Sequence, residues 1–202
     1  MDIITRLNWV DILIVIIMLR TSYVAFQDGL SHEIFPLIGA FLSLVLSLAY
    51  YKKIAFIISQ NIGGMPISIS SFMSFVIIFA AVIFVFKLVR LVFDKIIKVT
   101  WHPLIEKFGG LLAGAVKASI ITSAILIALV LLPLSYLKWS ITDRSLIGMY
   151  FLKVGPSIYA KASQILPFVK IGGASFNTEY AVRDVIEDNA RETIFLKGEL
   201  KR

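Results

Sequence analysis

The sequence contains no cysteine. Disulfides, thiolate nucleophiles and thiolate metal sites are therefore excluded. Histidine is nearly as scarce: His32 and His102 stand in different connecting segments, with no further ligand types gathered around either. Charge is sparse as well, at 16% of 202 residues, where an ordinary soluble domain carries about 25%. Apolar residues fill the gap, at 58% of the chain. That balance places the protein in the integral-membrane class before any motif is read.

The net charge of +7 lies within residues 1–169, because the last 33 residues hold six basic and six acidic side chains. In a membrane protein a basic excess implies contact with anionic lipid headgroups. No basic stripe is interleaved with aromatics, so nucleic acid is not expected as a partner.

An uncharged run of twenty residues, 118–137, is long enough for a helix to cross a hydrocarbon core of about 30 Å. Just before and within it, Gly110, Gly114, Ala118 and Thr122 recur at every fourth position, on one helical face. Ala115, Ser119 and Ser123 form a second narrow row. A face without bulk lets a neighbouring helix approach closely. Gly109 and Gly114 also have the glycine spacing of a phosphate loop, but Ala115 and Val116 stand where lysine and a hydroxyl are required. No phosphate site is assembled.

Hydropathy divides the chain into an all-α, four-span transmembrane domain over 1–137, with spans at 7–26, 34–51, 70–90 and 111–134. Peripheral amphipathic helices are expected over 138–169, and a charged, flexible tail over 170–202. A cleaved signal peptide is not expected, since Asp2 and Asp11 occupy its basic region and no small-residue cleavage site follows. Residues 28–33 read as a polar connection, with Pro36 in the first turn of the second span and Lys52-Lys53 closing it. Residues 60–71, with Gly63-Gly64 and Pro66, read as a loop. The stretch 87–107 reads as a helix lying in the membrane surface, ended by Pro103, or, over its first two turns, as the solvated end of the third span. Trp139 marks an interface, and two short helices are expected over 145–152 and 157–166, separated by Gly155-Pro156. The basic cluster between Lys87 and Lys107 assigns that connection to the cytoplasm.

Ionisable residues within or beside spans are the default functional candidates. Here they are Asp11, Arg20, Glu33, Lys87 and Lys117. Asp11 opens the first span and Glu33 the second, so they belong to opposite membrane faces and cannot share a catalytic site. No span contains a histidine, and Lys117 is placed near the membrane edge. Enzyme chemistry and cofactors are not expected. Asp11 suits the positive end of a helix dipole. Arg20, Glu33, Lys87 and Lys117 share a face, either as interfacial anchors or as an ion-pair cluster lining a cavity or partner site.

Three landmarks occur in order: Asn8-Trp9-Val10-Asp11 running into an apolar helix, Gly29-x-x-x-Glu33-x(5)-Gly39, and Gly110-x-x-x-Gly114-x-x-Lys117-Ala118. Together they resemble the colicin V production protein family of bacterial inner-membrane proteins, over residues 7–167. Asp11, Gly29, Glu33, Gly39, Gly110, Gly114 and Lys117 are thereby the candidate structural or functional residues. The chain departs from the family pattern at Glu106-Lys107, where the family often has Asn-Arg, and at Ala118, where it has glycine. The resemblance implies a multi-pass inner-membrane protein, a non-catalytic accessory to toxin or bacteriocin production or export and to envelope homeostasis. Such a protein would bind other membrane proteins or copies of itself. The alternative is a small oligomeric channel or transporter, against which stand the low number of spans and the lack of an inverted repeat.

Overall fold

The computed structural model describes residues 8–61, 66–96, 102–142 and 144–165. Among the described residues every regular element is a helix, and four are long and apolar enough to cross a membrane. They are α1 (Trp9–Asp28), α2 (Leu30–Asn61), α3 (Ile67–Ile96) and α4 (Pro103–Leu131). The shorter α5 (Ser135–Thr142) and α6 (Gly148–Ile165) follow. The expected all-α, four-span architecture is present.

α1 starts at a capping box. The Asn8 side chain accepts from the Trp9 N–H at 2.8 Å, and Asp11 accepts from the Asn8 N–H at 3.0 Å. These bonds satisfy donors that have no partner within the helix. Its twenty residues rise about 30 Å, the thickness of the hydrocarbon core. Gly29 then turns the chain alone. Its φ of 85° is open to glycine and strained for other residues, and its N–H closes on Ala25 O at 3.0 Å. Ser31, His32 and Glu33, expected in a connection, are the first turn of α2.

The helices outrun their apolar segments. α2 passes straight through Lys52 and Lys53, both exposed, and Pro36 lies inside it rather than in the first turn. α3 continues through Lys87 and Arg90 to Ile96, so residues 87–96 are the end of the third span and not a separate surface helix. Nothing between Ile67 and Ile96 breaks a helix, since the stretch has neither glycine nor proline, and long basic side chains can lay their stems along apolar surface. Residues 97–101 lie outside the described residues. Pro103 opens α4 instead of ending its predecessor, at a position where the missing donor would have had no partner. The tail expected over 170–202, and Pro167, also lie outside the described residues.

Half of the most apolar window of α2 is buried and 44% of that of α4, against 22% for α1 and 11% for α3. α2 and α4 are therefore the centre, with α1 packed on α4 and α3 on α2. The α2–α3 seam closes with Phe86 against Gly39 and with Tyr51 edge-on to Phe75 at 6.3 Å. α6 lies across α4 and α2, one continuous helix through Gly155-Pro156. The expected break does not occur because α4 supports the backbone there: the Gly155 N–H donates to Ser123 Oγ at 2.8 Å. Leu152, Gly155, Tyr159 and Ala162 are buried, while Lys153, Ser157, Lys161 and Gln164 point outward. The apolar stripe of α6 thus meets protein, not lipid.

Reporter domains fused after Lys53 and Arg202 should lie on one side of the membrane, and one fused after Lys98 on the other. Activity of the Lys98 and Arg202 fusions on the same side would contradict the count of crossings.

Candidate functional site

The end of the bundle where α1 stops and α2 and α4 begin is built on missing side chains. Gly110, Gly114, Ala118 and Thr122 are all buried along α4. A Cβ at Gly114 would overlap the Ala25 methyl, and one at Gly110 the Ala25 carbonyl of α1. α4 and α1 therefore meet at backbone distance, where dispersion contacts are densest.

Beside this contact, two polar ties join α4 to α2. Glu106 accepts from the Ser31 N–H at 3.0 Å and the Ser31 hydroxyl at 3.1 Å. It thereby caps the start of α2 from another helix, supplying the acceptor that a local cap would provide. Deeper in, the Lys117 ammonium donates to both oxygens of Glu33, at 2.6 Å to Oε2. The Glu33 side chain is 2% exposed and that of Lys117 14%. Lys117, expected at the membrane edge, lies about four turns into α4, because that helix starts at Pro103. A lysine so placed is tolerated only with a partner. At the rim, Arg90 approaches Asp28 at 4.0 Å and Lys107 stands 6.0 Å from the Phe26 ring. The Arg90–Asp28 pair is exposed enough that it contributes little.

Gly29, Glu33, Gly110, Gly114 and Lys117 thus converge. Gly39 stands apart on the α2–α3 seam. Arg20 and Lys87 are exposed and do not join Glu33 and Lys117 in a single cluster.

Asp11 forms a second polar centre, at the opposite end. Besides the Asn8 N–H it accepts from the Ser145 hydroxyl at 2.5 Å and from the N–H groups of Leu146 and Ile147 at 3.3 and 3.2 Å. The Asn8 amide donates to Ser140 O at 2.8 Å, and Ser145 Oγ accepts from the Gly148 N–H at 2.8 Å. One buried carboxylate therefore serves the starts of two helices, α1 and α6. Helix-terminus stabilisation describes half of what Asp11 does; the other half fixes the α5–α6 elbow. The Asn8-x-x-Asp11 spacing signals the local capping box. Nothing local signals Ser145, 134 positions away, or Glu106 beneath Ser31.

Asp11 and Glu33 are each engaged by different partners about one span apart, so they do not face each other as an acid–base pair. Among the described residues no three histidine, aspartate or glutamate side chains gather as a metal site. On α6, burial and the neighbouring Tyr50 raise the Tyr159 phenol above its ordinary value, so it remains neutral at physiological pH.

Lys117→Met should cost about 3–5 kcal/mol, the penalty for stranding a buried charge, and Glu33→Gln with Lys117→Met should recover most of it. Thermal unfolding in detergent micelles checks both; a double-variant loss equal to the sum of the losses of Lys117→Met and Glu33→Gln alone would show that the pair is not coupled. Gly114→Leu should reduce folded protein in the membrane far more than Leu112→Ala, since Leu112 is 70% exposed and Gly114 has no room. Matched yields would mean that α4 turns this face to lipid.

The chain matches the family model described as colicin V production protein over residues 10–172. Neither a curated protein nor a solved structure matches it. The matched region takes in α1 from Val10 onward and all of α2 to α6, and with them Asp11, Glu33 and Lys117. The chain belongs to the colicin V production protein family.

Proposed function

We propose that this multi-pass protein resides in the bacterial inner membrane and is a non-catalytic accessory to toxin or bacteriocin production or export and to envelope homeostasis. It acts by binding other membrane components. Family membership supports the link to colicin V production. Binding is favoured over conduction by one observation: the Glu33–Lys117 pair, the most deeply set opposite charges, is closed on itself between α2 and α4. A carboxylate with both oxygens on one lysine holds helices together and offers little to a passing ion.

The outer surface supports the same reading. Leu19 and Tyr23 on α1, Phe84 and Leu91 on α3, and Phe108 and Leu112 on α4 are all exposed. Such flanks accept lipid or a further helix, from a second copy or from another membrane protein. The basic excess of the chain favours a leaflet with anionic headgroups.

Cross-linking in intact membranes, followed by identification of what is captured, separates the two classes. Capture of export or envelope components, with no ion flux from reconstituted vesicles, is the expected outcome. Capture of the protein's own copies alone, together with flux, would overturn the accessory role in favour of an oligomeric channel.

A further inference from the structure

The elbow between α5 and α6 carries an aromatic and basic surface for which the bundle has no use. The segment 134–165 contains Lys138, Arg144, Lys153 and Lys161 against Asp143 alone. Leu134, Tyr136, Trp139, Leu146 and Tyr150 are exposed on it, at 41% to 74%. The apolar stripe of α6 is spent on α4 and α2, so these side chains are a separate outward set.

Position and rigidity single out one pair. The Arg144 guanidinium lies over the Trp139 indole at 4.4 Å, and the Arg144 N–H returns to Trp139 O at 3.3 Å. On one side of this loop Ser140 O holds the Asn8 amide; on the other, Ser145 holds Asp11. Arg144 is thus presented from a backbone clamped on both sides by the cap of α1. That cap is one hydrocarbon thickness, about 30 Å, from Gly29. The elbow consequently sits at the headgroup level of the leaflet where α1 begins. An indole at that depth has its apolar body in acyl chains and its edge in the polar layer. A guanidinium stacked on it is oriented at low entropic cost and keeps its planar donors for a phosphate.

We propose that the α5–α6 elbow is a binding site for an anionic glycerophospholipid. Arg144, oriented by Trp139, engages the headgroup phosphate, and Lys138 adds charge beside it. Tyr136, Leu146 and Tyr150 flank the upper acyl chains. The site depends on the Asn8–Asp11 cap for its position and is independent of the role in export.

The test uses the purified full-length protein in phosphatidylcholine nanodiscs containing a minor fraction of phosphatidylglycerol. In a Trp9→Phe, Trp101→Phe background Trp139 is the sole indole. Its fluorescence should be quenched by headgroup-nitroxide lipid, and more strongly when the label is on phosphatidylglycerol. Native mass spectrometry should show retained phosphatidylglycerol falling about fivefold for each charge removed in Arg144→Gln and Lys138→Gln. Arg144→Lys, which keeps the charge and loses the planar stack, should fall between. Quenching equal for the two lipids, or retention unchanged in Arg144→Gln, would overturn the proposal. Arg144 is exposed, and Trp9→Phe keeps the backbone N–H that Asn8 caps; unchanged thermal unfolding of the background confirms that the quenching reads a folded site.

Discussion

α4 can meet α1 at backbone distance only because Gly110 and Gly114 have no side chain where Ala25 stands. In lipid no hydrophobic force drives helices together, so close contact and internal polar bonds must do so. The Gly110–Gly114 contact supplies the first. It also sets the depth at which Lys117 arrives opposite Glu33 and Glu106 arrives beneath Ser31. Shift α4 by one residue, about 100° of rotation, and the small face turns away together with both polar partners. Packing and electrostatics therefore agree on one register.

The two ends of the molecule solve the same problem differently. A helix start has N–H groups without partners inside the helix. At one end the start of α2 borrows Glu106 from α4. At the other, α1 and α6 share Asp11, with Ser145 completing the set. Each solution joins elements distant in sequence, and so each locks tertiary structure as well as secondary structure. The second also positions the elbow that carries Trp139 and Arg144, so a cap on the first helix governs what the fifth and sixth present to the leaflet.

This division bears on function. The buried charges, Asp11, Glu33 and Lys117, are consumed by assembly, while the outward surfaces of α1, α3 and α4 are largely apolar and the elbow is basic and aromatic. Such an arrangement is in keeping with the proposed role through contacts with other membrane components.

Composition and hydropathy by themselves determined that the chain is helical and multi-pass, because uncharged runs of helical length have no other economical place than a bilayer. The four-residue recurrence of Gly110, Gly114, Ala118 and Thr122 marked the packing face, since helix periodicity is a local property. Helix ends were less legible. Charges such as Lys52-Lys53 and Lys87 interrupt hydropathy without interrupting the backbone, so α2 and α3 ran past them, and Pro103 began a helix instead of ending one. Only the tertiary structure decided which charges meet. Arg20, Glu33, Lys87 and Lys117 were equivalent in the sequence, yet Glu33 and Lys117 face each other and the other two face outward, because helix rotation follows from the sum of all packing contacts. The second task of Asp11 was hidden for the same reason: its partners at Ser145, Leu146 and Ile147 come within reach only when α6 folds back across α4 and α2.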